Sequence, residues 1–353
     1  MAAMGFERLW FWLLILLVSG AAGVAYAHLF GAGPPLGGGV YGLAIGVCVL
    51  AFERGLVLRR VQRRIQRLPS PLYVPAAALA YAVVIAVGNA VGGVIAWSTG
   101  LIKDPLERAV SLNTRVLVYS LAISAAVVFV IRMRDLLGGE VFANLMLGRY
   151  HRPVKEERIF LFVDVVGSTA YAEAHGDLAA QKYLSAIFAA LAEPVRSHRG
   201  AVDDYVGDMA IITWPHARGA KEARCVACLF AITDSIEKDA DWWRRRFGQV
   251  PQLRAALHGG PVITAEVGVD RHKIAYFGDV VNTTGRLEAM SRTLDAWFLA
   301  SMDLIGRLPG LPPGVVARPL GSHALRGRDE PLVIAALERV PGSPPVHPSA
   351  AGQ

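Results

Sequence analysis

Two carboxylates, Asp164 and Asp208, stand where side chains could do chemistry. Asp164 lies in Ile159-Phe160-Leu161-Phe162-Val163-Asp164-Val165-Val166-Gly167-Ser168-Thr169, and Asp208 in Val202-Asp203-Asp204-Tyr205-Val206-Gly207-Asp208-Met209-Ala210-Ile211-Ile212. Each segment reads as an apolar strand that delivers one aspartate beside a glycine-bearing turn. A carboxylate at the end of a buried strand needs a partner. Two of them on adjacent strands make a divalent cation the natural one, and magnesium favours one or two carboxylates completed by substrate phosphates. Gly167-Ser168-Thr169 opens a helix, and the free amides of a helix start bind phosphate. Metal ligands beside a phosphate cradle point to phosphoryl or nucleotidyl chemistry. A third segment, Tyr276 to Glu288, carries Asn282 and Arg286 at i, i+4, on one helix face. Taken alone it reads as a capped helix with a surface ion pair.

The elements that must position these residues follow from the pattern between Glu157 and Val340. Strands are expected at 157–163, 201–206, 209–214, 252–258, 262–267 and 272–277. Helices are expected across 169–197, 218–239 and 280–293, with shorter elements beyond. This β-α-β-β-α-β order with later additions predicts an α+β ferredoxin-like sandwich, long enough to bury one good core. Cys225 and Cys228, at i, i+3 on the long helix, read as core residues rather than a metal or redox pair, since no second Cys or His pair stands at ligand spacing. His258 reads as a strand-end residue with a satisfied ring. Trp242, Trp243 and Trp297 read as packing aromatics.

The first third of the chain differs in kind. The sequence is 54% hydrophobic with a mean hydropathy of +0.40, yet its net charge is +7. Four apolar stretches, about 9–30, 40–58, 72–97 and 116–131, account for the imbalance. A bilayer span needs about 20 residues, so about four transmembrane helices are expected, the last extended by a turn either way. Trp10, Trp12, Tyr73 and Trp97 sit near their ends, where interfacial aromatics belong. Arg54, Arg59, Arg60, Arg63, Arg64 and Arg67 crowd the second connection, and Arg132 and Arg134 follow the fourth span. The positive-inside rule then puts the N-terminus, the arginine loop and all that follows Arg132 in the cytoplasm, with the chain in the inner or plasma membrane. An arginine run pinned between spans belongs to the lipid surface, not to nucleic acid. Ala25-Tyr26-Ala27 also has the small-x-small pattern of a signal-peptide site, whose cleavage would leave three spans. His28, Glu53 and Asn89 are the notable polar groups in the spans; one histidine is too few for haem. Gly88, Gly92, Gly93 and Ala96 form a small-residue face suited to helix packing and dimerisation. The expected organisation is an anchor over 1–131, a coupling linker over 132–156, a catalytic domain over 157–340 and a disordered, Pro- and Ser-rich tail over 341–353.

The three segments, in this order and spacing, resemble the class III nucleotidyl cyclase catalytic domain, the adenylate and guanylate cyclase family, over about 155–335. The resemblance implies a cyclase domain that converts a nucleoside triphosphate to a 3′,5′-cyclic nucleotide and pyrophosphate. It makes Asp164 and Asp208, with the Val165 backbone, the ligands of two divalent ions, Mg²⁺ or Mn²⁺. Asn282 and Arg286 match the residues that stabilise the transition state. Val166, Gly167, Ser168 and Thr169 would hold the triphosphate through their turn, and Arg326 would add a basic contact. In this family the aspartates and the Asn–Arg pair of one site come from two domains, so a chain with one such domain is expected to homodimerise.

Two positions depart from the pattern. Adenine-selective members usually carry a Lys four residues before the second metal aspartate and an Asp or Thr seven residues before the transition-state Asn. Here those positions are Asp204 and Ala275. An ionised Asp204 cannot donate to adenine N1, but it can accept from the N1–H and 2-amino group of guanine. ATP is favoured as substrate because adenylate cyclases are the commoner bacterial members. GTP, and a catalytically silent nucleotide-binding signalling module, are the alternatives.

Overall fold

In the computed structural model of the chain, residues 2–31, 33–65, 67–137, 142, 148, 152–268, 273–325, 330–340 and 342 are described. Arg326, most of the linker between 138 and 151, and the tail beyond 342 lie outside them. The chain divides into two compact units, Met1–Gly139 and Glu140–Gln353.

The first unit is helical: α1 (Ala2–Phe30), α2 (Pro35–Glu53), α3 (Arg59–Ile65), α4 (Ser70–Ser98), α5 (Leu106–Val110) and α6 (Thr114–Leu137). Four segments are long and apolar enough to cross a bilayer: Trp10–Phe30, Pro35–Glu53, Pro71–Ser98 and Leu106–Arg134. The second starts at Pro35, five residues before its expected beginning, because a proline in the first turn lacks only an amide the helix leaves free. It stops at Glu53, where Gly55 turns the chain at φ 64° and the arginine-rich α3 begins. Glu53 has partners: Arg132 Nε lies 3.0 Å from Oε1, and the Tyr81 hydroxyl donates to Oε2, so one carboxylate ties α2, α4 and α6 together. Asn89 donates to the Val110 and Ser111 carbonyls at 3.3 and 3.2 Å. The small-residue face, expected to serve dimerisation, is occupied within the chain. A Cβ at Gly88 would stand 2.7 Å from Ile45 Cα, and one at Gly93 would stand 2.2 Å from the Ala109 carbonyl. These glycines let α4 press against α2 and α5.

The second unit opens with β1 (Val154–Val165), α7 (Ser168–His175), α8 (Asp177–Ser197), β2 (Ala201–Val206) and β3 (Met209–Pro215). There follow α9 (His216–Ala220), a 3₁₀ turn, α10 (Arg224–Lys238) and α11 (Ala240–Phe247). Next come β4 (Leu253–Val267), β5 (Lys273–Phe277), α12 (Asp279–Thr293), β6 (Phe298–Ser301), α13 (Met302–Ile305), β7 (Val315–His323) and β8 (Leu332–Arg339). The sheet runs β2-β3-β1-β4-β6-β8-β7, with β5 also paired to β4; these neighbours are antiparallel except β4 and β6. The β-α-β-β-α-β core is as expected, with β6, β7 and β8 extending it.

The helices expected across 169–197 divide at Gly176 (φ 82°). Two boundaries differ from the sequence reading. The long helix expected across 218–239 breaks at Glu222 and Ala223 (φ 56° and 47°). The strands expected at 252–258 and 262–267 are one strand. Pro261 does not interrupt it, because β6 pairs β4 at Ala255–Leu257 and β5 pairs it from Ile263 onward. The proline falls in the gap, where no amide is required.

Period-two alternation in β1 supplies both faces of the sheet. Ile159, Leu161 and Val163 join Tyr183, Ile187, Leu191, Trp214, Leu229 and Ile232 on the α8–α10 side. Phe160 and Phe162 pack with Val262 and Val280 under α12. Cys225 and Cys228 are fully buried, and burial pushes the Cys225 thiol up to about 12 and Cys228 well above its ordinary value, so both are inert core residues. The His258 ring is buried with Nδ1 2.7 Å from Ser301 Oγ. Trp214 is fully buried; its indole donates to the His198 carbonyl at 3.0 Å, and a Cβ at Gly200 would stand 2.7 Å from its ring. Trp214→Ala is therefore expected to cost about 3–5 kcal/mol, read as a lower urea midpoint with little change in slope.

Candidate active site

The end of β1 and the β2–β3 turn form one corner of the sheet. Asp164 stands opposite Met209 on β3 and Arg254 on β4. Asp208 precedes Met209, in a tight turn that needs Gly207 at φ 65°. The register therefore brings the two aspartates side by side. The Ser168 hydroxyl, from the first turn of α7, donates to Asp208 Oδ2. Gly167 turns the chain into α7 at φ 75°, and its carbonyl accepts from Tyr171 at 2.9 Å. The amides of Ser168 and Thr169 then lie in the first turn, which has no carbonyl of its own to offer them.

One member of the expected phosphate cradle is otherwise engaged. The Val166 amide donates to the Gln252 carbonyl at 2.9 Å, locking the β1 end to the segment that enters β4. It is not free for a phosphate, which leaves Gly167, Ser168 and Thr169 of the expected set. Arg326 lies outside the described residues.

The corner is electrostatically loaded. Asp164 is 6% exposed, and burial, then the charge of Asp208, push its carboxyl above the usual range, while Arg292 and Arg254 pull the other way. Arg292 Nη2 lies 3.4 Å from Asp164 Oδ2. Glu288, one helical turn before Arg292 on α12, is also buried. Its carboxyl is raised by burial and then by Asp164, and its Oε1 has no hydrogen-bond partner. Among the described residues no three His, Cys, Asp or Glu side chains form a metal cluster. Glu288, Arg292 and Arg254 were not singled out from the sequence. Glu288 and Arg292 at i, i+4 look like an ordinary surface pair until the fold turns that face of α12 toward Asp164.

Asn282 and Arg286 occupy a different place. Asn282 is exposed, and among the described residues Arg286 has Asp279 Oδ1 as a distant partner, at 3.9 Å, with Nη1 lacking a hydrogen bond. Asp164 meets Arg292 near the end of the same helix instead. Ala275 lies opposite Ala265, whereas Asp164 lies opposite Arg254. The two positions are therefore separated by about 35 Å along β4 at ~3.3 Å per residue. One chain does not bring all the expected residues together.

The comparisons agree with this architecture. The model of the adenylate and guanylate cyclase catalytic domain matches residues 152–298. Adenylate cyclase 2 of Rhizobium meliloti (strain 1021) is 46% identical over 326 residues, covering 92% of this chain and 89% of that protein. Adenylate cyclase 1 of the same organism is 26% identical over 185 residues, 51% of this chain and 27% of its own length. A solved bacterial light-regulated adenylyl cyclase superposes with a TM-score of 0.53 at 13% identity, covering 64% of this chain and 65% of that one, a likeness of fold. Near-half identity along almost the full length of two chains is more than a shared fold, and this protein belongs to the class III nucleotidyl cyclase family, as an enzyme that cyclises nucleotides.

Proposed function

We propose that the protein is a membrane-anchored adenylate cyclase that works as a homodimer, making 3′,5′-cyclic AMP and pyrophosphate from ATP. The observation that carries this reading is the convergence of Asp164, Asp208 and Ser168 at one sheet corner, in a protein with a near-full-length adenylate cyclase relative. The donor set there is hard oxygen, and the burial and neighbouring Asp208 charge that push the Asp164 carboxyl up would be relieved by a cation between the two side chains. Asp164, Asp208 and the Val165 carbonyl would hold two divalent ions, Mg²⁺ or Mn²⁺. Ions bound there supply a lowered pKa at the ribose 3′-hydroxyl and neutralise triphosphate charge.

The chain's own residues then divide the remaining work. The 3′-oxygen forms a bond to the α-phosphorus as the bond to the bridging oxygen of pyrophosphate breaks. Amides at Ser168 and Thr169 hold the terminal phosphates against the start of α7. Asn282 orients the ribose, and Arg286 meets charge building on the α-phosphate oxygens. Because Arg292, and not Asn282 or Arg286, meets Asp164 within one chain, the Asn–Arg pair serves the site whose aspartates come from the partner, and two-fold symmetry gives two equivalent sites. Tyr205, Val206, Ile263 and Phe277, each about half exposed on β2, β4 and β5, supply an apolar surface for that partner.

The four apolar helices anchor the chain in the bilayer, with Arg59, Arg60, Arg63 and Arg64 of α3 on the cytoplasmic surface beside the catalytic unit's compartment. The full chain in nanodiscs with Mn²⁺, given ATP and GTP in parallel, is expected to yield cyclic AMP, identified by mass spectrometry. Cyclic GMP alone would redirect the substrate assignment. Neither product, from a folded dimer that binds nucleotide, would leave a silent signalling module.

A further inference from the structure

We propose that Lys273 and Asp204 together read the adenine base, the ammonium donating to N1 and the carboxylate accepting from the 6-amino group. This rests on the adenylate cyclase reading above. By sequence the base pocket looks stripped, with Asp204 where adenine-selective relatives carry a lysine and Ala275 where they carry Asp or Thr. The structure restores both charges. Lys273 Nζ stands 2.5 Å from Asp204 Oδ2, bridging β5 to β2. The usual lysine and acid are kept but exchanged between strands, with the acid on β2 and the cation on β5.

Local geometry shows why Asp204 faces β5. The β2–β3 register slips between Val202 and Asp204, leaving Asp203 as a bulge, and bulges re-aim the side chains beside them. Asp203 turns inward and accepts from the Tyr276 hydroxyl at 3.1 Å, its carboxyl raised chiefly by burial. Asp204 turns to the open side. On β5, Lys273 and Ala275 are two residues apart and share a face. The ammonium therefore projects on the side where the family pattern places the base, and the alanine methyl leaves room for it.

The pair is also open to a ligand, with side chains 58% and 36% exposed. As an exposed ion pair it adds little to stability. Its value is one donor beside one acceptor, the complement of adenine's N1 and 6-amino group. Guanine would ask for two adjacent acceptors at its N1–H and 2-amino group. With Lys273 held at Asp204 Oδ2, guanine's N1–H would instead meet an ammonium, donor against donor.

The test compares the full-length wild type and Lys273→Ala on ATP, GTP and 1-deaza-ATP, which lacks the N1 acceptor. Lys273→Ala is expected to lower kcat/KM for ATP about 10- to 100-fold, the scale of one charged hydrogen bond, and to narrow the ATP-over-GTP preference. Loss of N1 should cost the wild type a similar factor and cost Lys273→Ala almost nothing. The exchanged variant Asp204→Lys/Lys273→Asp should recover most ATP activity where Lys273→Asp alone does not, which separates base reading from misfolding. An equal penalty for 1-deaza-ATP in both proteins, with cyclic AMP still made by the wild type, overturns the pair and leaves the cyclase reading standing. Absence of cyclic AMP from the wild type overturns the adenylate cyclase reading and the pair with it.

Discussion

Replacing Asp164 by alanine is expected to lower cyclic nucleotide formation about 10³-fold, and to leave the catalytic unit at least as stable as before. The first expectation follows from the proposed role. A metal that activates a hydroxyl and offsets phosphate charge contributes several kcal/mol to the transition state, and each 1.36 kcal/mol is tenfold in rate. Asp208→Ala should behave alike, since the two aspartates occupy one corner. The second expectation follows from the electrostatics. Burial and the charge of Asp208 raise the Asp164 carboxyl in the folded chain, against an exposed Arg292 that recovers only part of the cost. A carboxylate whose folded pKa is raised binds protons more readily folded than unfolded. It therefore costs stability above that pKa, and the cost disappears as acid protonates it. Alanine should raise the urea midpoint of the metal-free protein at neutral pH, by an amount that shrinks on acidification. Undiminished turnover would remove Asp164 from the metal site. A midpoint that falls instead would make the residue a structural one.

Much of this corner was legible because its chemistry is local in sequence. Asp164, Gly167 and Ser168 fall within five consecutive positions, and Gly207-Asp208 form one turn, so spacing alone implies their geometry. The same holds for the four apolar segments, whose length and composition meet what a bilayer span needs. What escaped the sequence is non-local. Nothing near Val166 announces that its amide is taken by Gln252, since that bond depends on how β4 is entered. Glu288 and Arg292 become part of the site only because α12 lies across β1. The single strand β4 read as two because the tolerance of Pro261 within it depends on a gap between two other strands. Gly88 and Gly93 suggested a partner helix, and the sequence could not say that the partner was in the same chain. Lys273 is the clearest instance. Substitution at Asp204 and Ala275 reads as loss when positions are compared one at a time, and only the β2-to-β5 contact shows the charge returning from another strand.

Co-expression of Asp164→Ala with Arg286→Ala is expected to return about one quarter of wild-type activity, although each variant alone is nearly inactive. Arg286→Ala by itself should lose about 10²–10³-fold, the scale for removing one donor from a developing oxyanion. The recovery follows from where the residues lie. Asp164 has Asp208, Arg292 and Arg254 around it, while Arg286 neighbours Asp279 at the start of α12. If each site takes its aspartates from one chain and its arginine from the other, a mixed dimer has one site with both and one with neither. Random pairing makes about half of all dimers mixed, and half of their sites are intact, hence about a quarter overall. Co-expression matters because two preformed dimers held in separate bilayer patches would not exchange subunits. The control is co-expression of Asp164→Ala with Asp208→Ala, which share one corner and so cannot complement. Recovery in that control would show that activity had returned by some route other than a shared site. No recovery in the first mixture, with mixed dimers demonstrated by differential tags, would mean that each chain carries its site alone. In that case Arg286 would have to cross the six residues, about 9 Å of helix at ~1.5 Å per residue, that separate it from Arg292 at Asp164, a rearrangement the packing of Leu287 and Val280 against the sheet opposes.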